Sequence, residues 1–408
     1  MNTSIYIAKR YLFSRKKMHA INIISGISML GVFIGSAALI IILSVFNGLE
    51  EVILSLYNNI TPELKIEPRY GKTFNPRTAY FENLKKRSDL FSYTEVLQEK
   101  ALVKYGDRPF IGTITGVSDG FLKNPRLDST IINGSFTLKS GGKYMAVIGN
   151  NVQTSLGVNV HDQLTALEVY APNRQNINSI NPADEFTVKN IYPSGVFSIQ
   201  EDFDNMIFTP IEFTRDLLDE PVNVSSVDLN FKAGTKILSV QDDIKKELGP
   251  KFTVQNRYEQ NTLLYKILHT EKWAIFIILT FVLIIAIFNI IGSLTMLVID
   301  KRKDIAILSS LGANPRLIQG IFFFEGMMIS AVGCIAGVLA GLVFCLLQKK
   351  FGFISMGSGM TVVSAYPVAF KLSDFILVLL TVNAIAVIAA GISARLSVKG
   401  LDEIKQDL

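Results

Sequence analysis

Few side chains in this sequence are spaced for chemistry. Gly71-Lys72-Thr73 is the one Gly-Lys-Thr triplet. A phosphate-binding loop needs a glycine five residues before the second glycine, and Ile66 stands there. His19, His161 and His269 lie far apart and fit no zinc spacing. Glu201-Asp202-Phe203-Asp204 lacks the twelve-residue ligand pattern of a calcium loop and reads as a solvated turn. Gly357-Ser358-Gly359 lacks the flanks of a nucleophile elbow. Cys334 and Cys345 sit roughly 16 Å apart along one helix, too far to bridge. The expectation is a chain that is not an enzyme, with no catalytic residue, no metal and no cofactor of its own.

Two features suit contact rather than catalysis. Glu325 borders an apolar run. Acids inside a membrane are functional candidates, but Glu325 follows Arg316 closely, so a structural role near the interface is expected. The sharper feature is Asp300-Lys-Arg-Lys-Asp-Ile-Ala-Ile-Leu-Ser-Ser-Leu-Gly312-Ala-Asn-Pro315. Lys301, Arg302 and Lys303 end an apolar run. Asp304 is placed to cap a short helix, Ile305–Leu311, that Gly312 closes. Ile305, Leu308 and Leu311 share one apolar face, and Ala306 leaves room for close approach. Such a face either docks on a protein partner or lies in the membrane interface and turns the chain.

The elements that must position these residues follow from the apolar runs. Hydrophobic residues make up 49% of the 408 and charged residues only 18%, against about 25% charged in a soluble domain. Ala20–Leu49, Trp273–Ile299, Gly326–Gln348 and Phe375–Ala394 contain no Asp, Glu, Lys or Arg. Each reaches the roughly 20 residues that cross a bilayer. The first is too long for a signal-peptide core and has no cleavage site before Asn47, so it is expected to be retained. Basic flanks at Lys9–Lys17, Lys301–Arg316 and Arg395–Lys405 place those segments in the cytoplasm.

This predicts a membrane protein of four transmembrane α-helices, with a large α+β extracytoplasmic domain between the first two. Residues 1–19 form a cytoplasmic amphipathic helix and 20–49 the first span. Residues 50–272 form the exported domain, 273–299 the second span and 300–316 a cytoplasmic loop. Residues 317–348 are the third span, 349–374 a short outer loop, 375–394 the fourth span and 395–408 a cytoplasmic tail. Segment 50–272 has 25 basic and 28 acidic residues, a net of −3; the rest has 15 and 7, a net of +8, and together they give the overall +5. The positive balance therefore flanks the membrane, and no nucleic-acid partner is expected. The exported domain has no cysteine and must hold by packing alone. Its patterns predict strands at Val96–Tyr105, Phe110–Val117, Tyr144–Ile148, Gln163–Tyr170, Glu185–Tyr192 and Ser226–Phe231. Helices are expected at Pro76–Asp89, Asn151–Leu156, Ile237–Leu248 and Arg257–Lys266.

The loop run, followed by Phe322-Phe323-Phe324-Glu325-Gly326, resembles the FtsX-like permease superfamily. There the loop docks on an ATPase subunit. Ser44-Val-Phe-Asn-Gly-Leu-Glu50 at the end of the first span is similar to the lipoprotein-releasing permeases, the LolC/LolE family. So is Leu156-Gly-Val-Asn-Val-His-Asp-Gln-Leu-Thr165, with His161 where that family usually has Gly. The resemblance covers nearly the whole chain. It implies a permease subunit of an ATP-driven complex in the bacterial inner (cytoplasmic) membrane. That complex extracts acylated lipoproteins and passes them to a periplasmic lipoprotein carrier. Its partners would be two copies of an ABC ATPase subunit, which binds the ATP and Mg, a second permease copy or paralogue, and membrane lipid. Lys301, Arg302, Lys303, Asp304, Ile305, Ala306, Leu308, Leu311 and Gly312 would then couple to the ATPase. The alternative is a mechanotransmission permease that drives a cell-wall hydrolase or efflux adaptor without extracting lipid. The large exported domain and the separate ATPase favour lipoprotein release.

Two further surfaces are expected on that reading. Leu43, Phe46 and Leu49 of the first span, with Ile275 and Leu279 of the second, are expected to line the lipoprotein cavity. The segment Ala171–Asp184 is expected to be a hairpin arm that binds the carrier. Its candidates are Pro172, Asn173, Arg174, Gln175, Asn176, Ile177 and Ile180, apolar anchors among polar amides.

Overall fold

The computed structural model describes residues 3–12, 20–162, 164–172, 186–200, 203–356 and 365–404. It divides into two units, Met1–Val52 with Lys266–Leu408, and Ile53–Tyr265.

Among the described residues of the first unit, four helices are long and apolar enough to cross a membrane. After α1 (Thr3–Leu12) comes α2 (Ala20–Asn58), whose 39 residues span roughly 58 Å at 1.5 Å per residue. A hydrocarbon core is only about 30 Å thick, so α2 outruns its span, as does α8 (Thr262–Asp300). The short helix α9 (Arg302–Ser310), α10 (Pro315–Phe351) and α11 (Leu372–Ile404) complete the unit. Asn314 caps α10 by accepting from the Leu317 amide at 2.8 Å, and Pro315 at the first helical position needs no donor there.

Lipid offers no hydrophobic drive for helices to meet, so close packing must supply it. Gly333, Gly337 and Gly341 of α10 lie against α2 with no space to spare. A methyl group at Gly337 would overlap Ser36 Oγ and the Phe33 carbonyl, and one at Gly333 would come within 2.7 Å of the Met29 carbonyl. The α2 face so covered carries Val32, Leu39, Ile40 and Leu43, all buried.

The second unit is α+β. Its strands are β1 (Leu64–Pro68), β2 (Leu90–Tyr105), β3 (Arg108–Val117), β4 (Ile131–Gly134), β5 (Lys139–Ser140) and β6 (Lys143–Gly149). They continue with β7 (Leu167–Pro172), β8 (Phe186–Phe197), β9 (Met206–Pro210), β10 (Ser226–Phe231) and β11 (Phe252–Asn256). Its helices are α3 (Ala79–Lys85), α4 (Asn150–Leu156), α5 (Ile211–Leu218), α6 (Ile237–Leu248) and α7 (Arg257–Gln260). The pairings β2–β3, β3–β9, β9–β6, β6–β8, β8–β7 and β7–β2 close a ring, with β3–β9 and β6–β8 parallel. Val103, Ile114, Ile148, Val169, Ile191 and Ile207 belong to its buried core. From β2 the sheet extends through β10 and β1 to β11, and α3 and α6 bring Phe81, Leu84, Val240 and Ile244 to the same core.

Several boundaries differ from the sequence patterns. Helix α3 is half the expected length, because Pro76, Arg77 and Thr78 stay outside its start and Lys86–Asp89 outside its end. The expected Arg257–Lys266 helix breaks at Asn261, after the Asn256–Glu259 capping box, and Thr262 begins the helix that continues into the second span. Gly157 ends α4 in the left-handed region, φ +69.

The glycine contact yields a test. Gly337→Ala should destabilise the membrane unit by about 1–3 kcal/mol, the usual range for overpacking. Gly391→Ala in α11 meets nothing within 4 Å and should be neutral. Thermal unfolding of both variants in detergent measures the difference.

Candidate functional site

At one end of the bundle, α9 follows α8 almost without a break. It starts at Arg302, two residues before the expected cap at Asp304, and Lys301 at the cap position makes no side-chain cap. Asp304 instead pairs with Lys301 at 3.6 Å. Gly312 takes φ +88, the conformation that lets the chain reverse toward Asn314.

The expected docking face is divided. Ile305 is 3% exposed and belongs to the buried cluster of Ile318 and Phe322. It anchors α9 to its own bundle and is not offered to a partner. Leu308 is half-buried, Ala306 is exposed, Leu311 is 80% exposed and Ile307 60%. The free apolar surface is therefore Ile307 and Leu311, of which the three-residue periodicity selected only Leu311.

The residues expected to line the lipoprotein cavity face mostly into the bundle. Leu43 and Phe46 are buried, and Leu43 packs in a cluster with Phe276 and Leu283. Leu49, Ile275 and Leu279 are half-buried. The apolar faces left open are Ile23, Ile27, Leu30 and Ile34 on α2, and Ile278, Phe281, Ile285 and Phe288 on α8. Bulk alone did not separate these from the inward residues, because both faces of a span are apolar.

A polar cluster absent from the sequence reading joins three helices at the opposite end. Lys272 Nζ of α8 lies 2.9 and 3.0 Å from the Asp374 carboxylate of α11. It also donates to Asn47 Oδ1 of α2 at 2.9 Å. Asn47 Nδ2 donates to Asp374 at 2.6 Å. Asn47 and Asp374 are buried. The outer loop adds contacts nearby: the Ala369 amide donates to the Ser44 carbonyl at 3.0 Å, and Lys371 pairs with Glu50 at 2.7 Å. An amide inside an apolar run, with charges bounding two others, was the available signal.

Glu325 is 1% exposed, and its Oε2 has no hydrogen-bond partner among the described residues. It is sealed inside the bundle and does not sit at an exposed boundary.

In the second unit, β7 and β8 form the base of the expected arm, with Pro172 opposite Phe186 and Tyr170 opposite Val188. Asn173, Arg174, Gln175, Asn176, Ile177 and Ile180 lie outside the described residues. Pro172 is exposed. Across β7, β8, β2 and β3, the registers bring Phe186, Val188, Tyr170, Leu102 and Ile111 onto one sheet face. Phe186, Val188 and Ile111 are 44%, 45% and 72% exposed, an apolar patch on a face that strands usually make polar when solvated.

Two family models match this chain in succession. Residues 25–247 match the MacB-like periplasmic core domain, and residues 276–400 match the FtsX-like permease C-terminal region. The chain belongs to the FtsX-like permeases with a MacB-like periplasmic core. Its four apolar helices and the helical turn between the second and third are thus those of a multi-pass membrane permease. It is similar to the lipoprotein-releasing system transmembrane protein LolE of Haemophilus influenzae, 26% identical over 86% of this chain and 84% of that one. The LolC proteins of Buchnera aphidicola and Xylella fastidiosa are also similar. The first is 26% identical over 85% of this permease and 84% of its own length. The second is 24% identical over 95% and 94%.

The polar cluster is testable in the permease. Asp374→Ala leaves Lys272 without its carboxylate and should cost about 1–3 kcal/mol, less than for a fully buried pair because Lys272 reaches solvent. Adding Lys272→Met should recover much of that loss in thermal unfolding. A double variant no better than the single one would contradict the assignment.

Proposed function

We propose that this permease is the membrane subunit of an ATP-driven complex that extracts acylated lipoproteins from the bacterial inner membrane and hands them to a periplasmic carrier. The observation that carries the reading is end-to-end similarity to permeases of lipoprotein-releasing systems, joined to a MacB-like core. Each CH₂ drawn from the bilayer costs about 0.8 kcal/mol, so several acyl chains cost on the order of tens of kcal/mol. That demands an energy source, and a separate ABC ATPase in two copies, holding ATP and Mg, would supply it. A second permease copy or paralogue would complete the pair.

Within this reading, Ile307 and Leu311 are the apolar contacts of α9 with the ATPase, and Lys301, Arg302 and Lys303 its charged surroundings. Ile305 holds α9 against the moving bundle. Acyl chains run along the open faces, Ile34 on α2 and Ile278, Phe281 and Ile285 on α8. The carrier binds the arm together with the Phe186–Val188 patch at its base.

Leu311→Asp should leave folding intact and abolish coupling between ATP hydrolysis and release, because it places an unpaired charge in an apolar contact. Ile305→Asp should instead lower thermal stability. A photo-crosslinker at Phe281 should capture lipoprotein more than one at Leu43; stronger capture at Leu43 would overturn the lipid route. Release of an acylated lipoprotein from proteoliposomes, compared between these variants and the parent, tests the reading as a whole.

A further inference from the structure

The second unit contains a cavity of about 290 Å³ on the sheet face opposite the main core. It is larger than a single water requires. Alternation along the strands sets its lining. Lys65 and Glu67 come from β1, Val96 and Gln98 from β2, Thr115 and Val117 from β3, and Ser226 and Asp228 from β10. Ile60, Pro62, Gln260 and Asn261 close it, at the residues where the chain leaves α2 and approaches α8.

The lining has two characters. One part is apolar: Phe121 stacks on Phe208 with centroids 5.1 Å apart, beside Val117 and Phe203. The other is polar. Lys65 sits directly opposite Asp228 in register, with Glu67 2.6 Å from its Nζ. Burial draws the Lys65 ammonium down, but Asp228 and Glu67 more than offset it and leave it above its ordinary value. Burial pushes the Asp228 carboxyl up to about 6, while Lys65 and a bond from Ser226 pull it back. Between the two parts, Thr115 is 5% exposed, and its hydroxyl has no partner among the described residues. A buried hydroxyl left unpaired is costly, and this one lines the cavity.

These features discriminate between ligands. A free acyl chain would leave the hydroxyl and the surrounding amides unpaired, which costs free energy. A free phosphate would meet two carboxylates against a single lysine. A polypeptide suits both walls, since it brings apolar side chains and hydrogen-bonding amides together. We propose that this cavity holds a short extended segment of the exported polypeptide, with one apolar side chain against Phe121 and Phe208 and its backbone amides among Gln98, Thr115 and Ser226. The inference rests on the lipoprotein-releasing reading and names the part of the substrate that the exported domain grips, the protein and not the lipid. The net negative lining favours a segment that is neutral or basic.

The test uses the full chain in nanodiscs and a labelled peptide without a fatty-acyl chain, acetyl-Ser-Leu-Lys-Ser-amide, followed by fluorescence anisotropy. Binding is expected for the parent, a tenfold or greater loss for Gln98→Trp, which fills the cavity, and no change for Leu238→Trp, an exposed position on α6 outside it. Thr115→Val keeps the shape and removes the hydroxyl; it should weaken the peptide severalfold while leaving the melting temperature unchanged or raised. This second variant decides the matter if Gln98→Trp fails to fold. Equal binding by all variants, or binding of laurate in place of the peptide, would overturn the proposal. ATP-dependent lipoprotein release is measured on the same proteins with the ATPase present. Release by the parent without peptide binding defeats the cavity proposal alone, and absence of release by the parent defeats the functional reading.

Discussion

Helix α10 lies so close to α2 that a methyl group at Gly337 would not fit between them. In lipid, where apolar surface gains nothing by leaving solvent, such close contact is what pairs helices. The contact decides which face of α2 turns inward, with Val32, Ser36 and Leu39 buried. It thereby leaves Ile23, Ile27, Leu30 and Ile34 outward. The open apolar face of α2 is a consequence of where the α10 glycines stand.

The two ends of the bundle are fixed by different chemistry. At one, the Lys272–Asp374 pair and Asn47 join α8, α11 and α2. A buried pair of this kind adds little net stability, yet it penalises other arrangements because any of them strands a charge. At the other, Ile305 fastens α9 by apolar burial and leaves Ile307 and Leu311 outside. A helix held on one side and open on the other can pass a push from a partner to the spans.

The sequence made the spans legible, because charge-free runs of twenty residues or more admit few other readings. Most strands of the second unit were also legible, and Ser226–Phe231 and Ile237–Leu248 appear with the expected bounds. The short strands β4 and β5 escaped, since Ile131–Gly134 and Lys139–Ser140 carry too few alternations to signal. What sequence could not supply was the facing of apolar residues within a span. Leu43 and Ile34 are equally apolar, but one is 1% exposed and the other 54%. For the same reason the sequence groups Ile305 with Leu311, although tertiary packing buries the first and leaves the second exposed. The cavity lining was invisible because Lys65, Gln98, Thr115 and Asp228 meet only through strand pairing.

The central claim is that this permease, with an ABC ATPase, moves lipid-anchored protein out of a bilayer. The most direct measurement reconstitutes the complex in proteoliposomes with an acylated lipoprotein and a soluble carrier, then follows carrier-bound lipoprotein after ATP is added. The account predicts transfer that depends on ATP and on acylation. Full ATP hydrolysis with the lipoprotein still in the membrane would contradict it.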